Sequence, residues 1–150
     1  MDKIVVQTED FDLTTEVEFI KSSSPNVGAI VSFIGTVRDL NNESLVSLTL
    51  EHYPEMTEKS LESIANKARN KWELESITII HRVGTLCIGD QIVLVITTSE
   101  HRQEAFDSCN FIMDYLKTDA PFWKKEISDK EDKWVEIRET DEKQKSRWKR

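Results

Sequence analysis

Apolar positions recur along this chain with two spacings, and the switches between them mark its elements. Lys3 to Thr8 holds Ile4-Val5-Val6 and predicts a short strand. Thr14 or Thr15 is the expected cap of a helix through about Lys21, with Val17 and Ile20 on one face, and Ser22 to Asn26 is loop. Gly28 to Ile34 is rich in β-branched residues and reads as a largely buried strand. Asn41-Asn42 marks a turn or mobile loop, Leu45 to Tyr53 alternates as a strand that Pro54 ends, and Thr57 opens the clearest helix. In that helix Leu61, Ile64, Ala65, Ala68 and Trp72 recur on one face.

Ser76 to Arg82 predicts a further strand, Gly84 and Gly89-Asp90 punctuate a turn, and Gln91 to Thr98 is the most apolar strand. Ser99 is the expected cap of a second long helix, whose buried stripe is Ala105, Cys109, Ile112, Met113 and Leu116. Pro121 stops it, because a residue that precedes proline avoids helical geometry. Short strands around Lys124 to Ile127 and Trp134 to Ile137 complete the pattern, and residues 139–150 form a polar tail expected to fray or to dock on a partner. The order β-α-β-β-α-β-β-α-β-β predicts a single α+β domain over residues 1–150, with helices packed on a mostly antiparallel sheet.

Composition changes this picture little. The 38% hydrophobic and 32% charged residues suit a globular protein with a solvated surface, and no run approaches a membrane span or a secretory leader, so a cytoplasmic protein is expected. The net charge of −8 argues against nucleic acid as the main partner, while leaving room for one small anion in a local basic pocket. Cys87 and Cys109 lack metal-ligand spacing and are expected to be inert thiols without a disulfide.

The chain has no phosphate-binding G-x-x-x-x-G-K-[ST] loop, no G-x-S-x-G elbow and no H-E-x-x-H helix, and its three histidines sit in dissimilar contexts. No metal and no cofactor are expected. What remains is a set of cations at element boundaries: Arg38, His101-Arg102, Lys117, Lys124-Lys125 and Arg138. Arg102, in a helix's first turn, opposes the macrodipole and invites a reason beyond stability. Taken singly, Lys117 is explained by the dipole at a helix end, Lys124-Lys125 by solvation, and Arg38 and Arg138 by surface ion pairs. His52 and His81-Arg82 lie near strand ends, where structural hydrogen bonding is the favoured reading, and Phe122-Trp123 is a core or interface anchor.

The combination is more specific. Gly28 to Arg38, Leu50-Glu51-His52-Tyr53-Pro54-Glu55-Met56, Ile80-His81-Arg82-Val83-Gly84, Ser99-Glu100-His101-Arg102, Phe111 to Glu126 and Trp134 to Glu139 resemble, in order and spacing, the catalytic (large) subunit family of molybdopterin synthase. The resemblance spans roughly Gly28 to Glu139. It implies an α/β-hammerhead-like core plus a small additional β subdomain. It also implies transfer of two sulfurs to cyclic pyranopterin monophosphate, building the molybdopterin dithiolene. The sulfur would arrive as the C-terminal thiocarboxylate of a small ubiquitin-like subunit with a Gly-Gly tail. The assembly implied is a heterotetramer around a central dimer of large subunits.

By the same resemblance Lys117 and Lys124 are the expected catalytic residues. Thr36, Val37, Arg38, His101, Arg102, Lys125, Glu126 and Arg138 would hold substrate, and Phe33 and Met113 would supply apolar wall. Two departures stand out: Thr36 replaces a residue often basic in the family, which would weaken one substrate contact, and Glu55 replaces a common glycine in an expected turn. Two other readings stay open: a non-catalytic adaptor of the same fold that binds a ubiquitin-like partner, and an unrelated phosphate-ester enzyme. Because His101-Arg102 and Lys117 stand at opposite ends of one helix, the pocket is expected to be shared between two copies of the chain.

Overall fold

The computed structural model describes residues 2–39, 45–128, 132–135 and 148. The elements are β1 (Lys3–Gln7), α1 (Leu13–Ser23), β2 (Ala29–Thr36), β3 (Leu45–His52), α2 (Met56–Lys71), β4 (Ser76–Arg82), β5 (Gly84–Cys87), β6 (Gln91–Ser99), α3 (Arg102–Asp119), β7 (Phe122–Ser128) and β8 (Asp132–Val135). They build two four-stranded sheets, ordered β1-β4-β6-β2 and β5-β3-β7-β8. Among the described residues only the β1–β4 pairing is parallel, so the expected α+β class with mostly antiparallel strands holds.

The first sheet is covered on both faces, which is why β4 and β6 read as nearly unbroken apolar runs. Alternate residues of each strand go to opposite layers. Ile77, Ile79, Val93 and Val95 join Leu61, Ile64, Ala65, Ala68, Phe111, Ile112 and Leu116 of α2 and α3. Ile80, Leu94 and Ile96 pack instead with Ile20 and Val17 of α1 and with Phe11. The second sheet has its own small core of Val37, Leu48, Leu50 and Leu86. Trp148 packs edge-on against Trp72 and Phe111 of its own chain, at 5.9 and 5.6 Å between ring centroids.

Several element boundaries differ from the pattern-based expectations. The strand β5 replaces the expected turn after Gly84; it is four residues long, and only Leu86 faces a core. The α1 cap is Asp12, not Thr14 or Thr15: its carboxylate accepts from the Thr15 N–H at 3.2 Å and from the Thr15 hydroxyl at 2.6 Å. Ser99 does not cap α3. It is the last residue of β6, opposite Ala29, and its hydroxyl donates to the Glu73 carbonyl at 2.9 Å; His101 takes the cap position without a side-chain bond. The last strand lies at Asp132–Val135, two residues before its expected start.

Glu55, at the N-cap of α2, has φ 73° and ψ −50°. It alone among the described non-glycine residues has positive φ. This is the strained γ-turn region, where a side chain costs roughly 1–3 kcal/mol, so the expectation of a turn there holds. Its N–H donates to the Glu58 carboxylate at 3.1 Å, a bond that a glycine would keep, while its own carboxylate accepts from the Glu58 N–H, a bond that a glycine would lose. Glu55→Gly is therefore expected to stabilise the fold by about 1 kcal/mol and raise the melting temperature by about 2–4 °C. A lower melting temperature would show that the capping bond of the Glu55 side chain outweighs the backbone strain.

Candidate functional site

The expected catalytic lysines lie on either side of one chain reversal. Lys117 is in the last turn of α3, and Lys124 is in β7, opposite Leu50 of β3. Between them Pro121 ends the helix, and the Phe122 N–H turns back to the Ala120 carbonyl at 2.9 Å, a three-residue turn around the proline. The corner is held from outside by Thr57, in the first turn of α2. Its fully buried hydroxyl donates to the Pro121 carbonyl at 3.0 Å and accepts from the Tyr53 N–H at 3.0 Å. One hydroxyl thus ties together the end of β3, the start of α2 and the α3–β7 corner.

Inside the corner sits His81. It falls on the inward row of β4 after Ile77 and Ile79, in a position where the alternation calls for an aliphatic side chain. Its ring stacks on Phe122, with centroids 3.8 Å apart and planes inclined by 17°. Its Nδ1 lies 2.9 Å from the Arg82 carbonyl. A carbonyl only accepts, so Nδ1 carries the proton and Nε2 keeps the lone pair. Burial lowers the His81 pKa to about 4, and the nearby charges of Lys117, Lys124 and His52 oppose protonation further. His52 reaches Glu58 of α2 with Nε2 to Oε1 at 3.6 Å, and its ring lies 6.5 Å from Phe122.

The other expected site residues fall into three places. Thr36, Val37 and Arg38 lie at the same end of the first sheet as His81: Thr36 is opposite Gln91, and His81 is opposite Val93. Val37 is pinned by backbone bonds to Asp90 and Gly89 at 2.9 and 2.8 Å, which presents Arg38 to solvent. His101 and Arg102 are exposed at the opposite end, roughly 22 Å from Lys117 at the helical rise over fifteen residues. There Gly28 permits close approach, since a Cβ would stand 2.2 Å from the Glu100 carbonyl oxygen.

Phe33, on the edge strand β2, is 39% exposed, whereas Met113 packs half-buried on the α2–α3 core. Lys125 lies opposite Thr49, so strand alternation turns it to the other face of the sheet from Lys124. Glu126 of β7 lies opposite Leu48 of β3, and Arg138 falls outside the described residues. The structure therefore brings together Lys117 and Lys124 but not Lys125, and it sets His101-Arg102 apart from both lysines within one chain.

His81, Phe122 and Thr57 escaped the sequence reading as parts of a site. A polar residue at an inward position of an apolar row is the signal that could have singled out His81. Nothing in the pattern distinguished Thr57 from an ordinary helix-start residue. Cys109 is buried, and burial pushes its thiol up to about 11, as an inert thiol requires; both cysteines are free. Among the described residues no three His, Cys, Asp or Glu side chains gather as a metal cluster, and no helix is long and apolar enough to cross a membrane.

Comparison with known proteins bears on this arrangement. The family model described as MoaE protein matches residues 6–119. The chain is 53% identical over 149 residues to the "Molybdopterin synthase catalytic subunit" of Ralstonia nicotianae, covering 99% of this chain and 85% of that protein. It superposes on the molybdopterin cofactor biosynthesis protein E of Burkholderia multivorans with a TM-score of 0.85 at 51% identity, covering 100% of this chain and 98% of the other. A molybdopterin synthase structure from Staphylococcus aureus gives a TM-score of 0.83 at 31% identity, covering 91% and 98%.

The corner yields two predictions. Thr57→Val keeps the shape but leaves the Pro121 carbonyl and the Tyr53 N–H unpaired. It is expected to cost about 2–3 kcal/mol in urea denaturation, with Thr57→Ser recovering most of the loss; a neutral Thr57→Val would show that the clasp is dispensable. For His81, the unfolded chain takes up a proton as pH falls below about 6.5, while the folded chain resists until about 4. Its contribution to stability is therefore complete above pH 6.5 and is lost as pH falls towards 4. Wild type should lose about 2 kcal/mol more than His81→Leu between pH 7 and pH 5. Equal losses would contradict the buried neutral imidazole.

Proposed function

Because the chain belongs to the MoaE family of molybdenum cofactor biosynthesis, we propose that it is the catalytic subunit of a molybdopterin synthase and works as a sulfurtransferase. Its substrate is cyclic pyranopterin monophosphate, and its sulfur donor is the C-terminal thiocarboxylate of a small ubiquitin-like subunit with a Gly-Gly tail. The observation that carries this reading is the α3–β7 corner, which sets Lys117 and Lys124 beside one buried neutral imidazole. Two ammonium groups there attract the anionic tail and offset charge that develops on thiocarboxylate and pterin oxygens, and one of them can protonate a leaving oxygen. Nucleophilic sulfur comes from the carrier, so the chain needs no reactive thiol, in keeping with the buried Cys109.

Arg38, with Thr36 and Val37 behind it, holds the phosphate and pterin at the same end of the sheet, and arginine suits bidentate phosphate contact. His101 and Arg102 are too distant in one chain and serve the pocket of a second copy, which makes the working unit a homodimer flanked by small subunits. Glu126 and Arg138 complete the substrate contacts, with Phe33 and Met113 as apolar wall, whereas Lys125, on the other face of β7 from Lys124, would reach the substrate only from outside this corner. The reaction is placed in the cytoplasm as part of this reading.

The test is reconstitution: the purified chain, thiocarboxylated small subunit and cyclic pyranopterin monophosphate, with the dithiolene product read by mass spectrometry. Product should form, and Lys117→Ala or Lys124→Ala should each lower kcat by roughly 10²-fold or more. No product with a competent carrier would refute the reaction, and full turnover by Lys117→Ala would refute its catalytic role.

A further inference from the structure

Sulfur transfer as described has a second half that two ammonium groups do not serve. Once the thiocarboxylate sulfur has bonded to a pterin carbon, the carrier's acyl carbon is still joined to that sulfur. Release requires water to attack the acyl carbon and break the acyl C–S bond, and that water must give a proton to a base. Lys117 and Lys124, as cations, donate and do not accept. His81 is a weak base, buried, with Nδ1 committed to the Arg82 carbonyl and its pKa lowered to about 4.

His52 is placed for the task. It ends β3 opposite Phe122, while Leu50 lies opposite Lys124, so strand alternation puts His52, Phe122 and Lys124 on one face of the second sheet. His52 and Lys124 are diagonal neighbours there, a relation that spans about 7–8 Å. The His52 side chain is 22% exposed, and its Nε2 faces Glu58 Oε1 at 3.6 Å. That oxygen is buried and has no hydrogen-bond partner among the described residues. Glu58 Oε2 accepts from the Glu55 N–H at 3.1 Å, which fixes the carboxylate at the start of α2 and leaves Oε1 aimed at the imidazole. A carboxylate only accepts, so a neutral His52 carries its proton on Nε2 and keeps the lone pair on Nδ1. Among the described residues Nδ1 makes no hydrogen bond. A separation of 3.6 Å is longer than a hydrogen bond, and contacts of this kind tighten when substrate is in place. A merely structural histidine at a strand end binds backbone, as His81 does; His52 meets a carboxylate instead.

On the sulfurtransferase reading of this chain, we propose that His52 is a further catalytic residue, the base for the water that cleaves the carrier's acyl–sulfur bond, with Glu58 as its positioning residue. Nδ1 takes a proton from the attacking water as its oxygen bonds to the acyl carbon. The acyl C–S bond breaks, and its electron pair stays on the pterin sulfur as thiolate. The carrier is left with a carboxylic acid, which ionises, and His52 passes its proton to solvent. Nothing is oxidised or reduced. Glu58 holds the ring by Nε2 and stabilises the imidazolium that forms, the part a carboxylate plays behind a catalytic histidine elsewhere.

Three chains decide the matter: wild type, His52→Gln and Glu58→Gln, each in single turnover with thiocarboxylated carrier and cyclic pyranopterin monophosphate, read by intact-protein mass spectrometry. In His52→Gln product formation should slow by about 10²-fold. The carrier should accumulate as a covalent adduct with the pterin, and hydroxylamine should cleave that adduct, as it cleaves thioesters. Glu58→Gln should accumulate the same adduct with a smaller slowing, of about tenfold. A change that only loosened the fold would slow the reaction without trapping the adduct. His52→Gln turnover within about twofold of wild type, or slowing without a hydroxylamine-sensitive adduct, would overturn the assignment. Should His52→Gln fail to fold, Glu58→Gln decides by the same adduct, and wild-type turnover without adduct in that variant would overturn the pair. Failure of wild type to form product would instead count against the sulfur-transfer reaction.

Discussion

A single buried hydroxyl fixes the chain reversal on either side of which Lys117 and Lys124 stand. Thr57 donates to the carbonyl of Pro121 and accepts from the N–H of Tyr53, so the start of α2 holds the corner at which α3 gives way to β7. Without such a clasp the direction of β7 after the proline would rest on a short turn and on pairing with β3 alone. With it, the last turn of α3 and the middle of β7 face a common point, and Phe122 is pressed onto His81. Backbone carbonyls near a proline have few local partners, because the proline nitrogen donates nothing. A side chain from a distant element therefore gains unusual influence there.

The electrostatics follow from that geometry. The chain is strongly acidic, with net charge −8, yet the corner concentrates cations. Burial keeps the imidazole neutral, and the charges of the two lysines nearby act in the same direction. The outcome is a local field that favours an anion and holds a hydrogen-bond acceptor whose protonation does not change near neutral pH. On the proposed reaction, phosphate and thiocarboxylate are both anions, and one cationic end of the fold would serve substrate and sulfur donor together.

Most of the framework was legible because periodicity and burial agree. The apolar stripes of α2 and α3 and the runs of β4 and β6 are the residues that fill the layers around the first sheet. Strand β5 was not legible, since four residues with one inward leucine and a leading glycine resemble a turn. Helix starts were misread where a better competitor stood nearby: Asp12 precedes the threonines, and the Ser99 hydroxyl is engaged by Glu73 across the chain. For the site, Lys117 and Lys124 each have an ordinary explanation when read singly, and only the resemblance of the surrounding motifs joined them. Their meeting depends on the corner, and the corner depends on a contact between residues 57 and 121 that no local pattern encodes. The distance of His101 and Arg102 from Lys117 was legible, because helix length follows directly from residue count.

On the proposed reading, Lys117 and Lys124 of the same chain form one cationic centre. Mixing inactive Lys117→Ala and Lys124→Ala chains, allowing subunits to exchange, and measuring dithiolene formation with the thiocarboxylated carrier tests this directly. If both lysines serve one pocket of one chain, every pocket in the mixture lacks a lysine and activity stays at the level of the separate variants. Recovery towards half of wild-type turnover in mixed dimers would mean that the two lysines come from different chains, and would contradict the account.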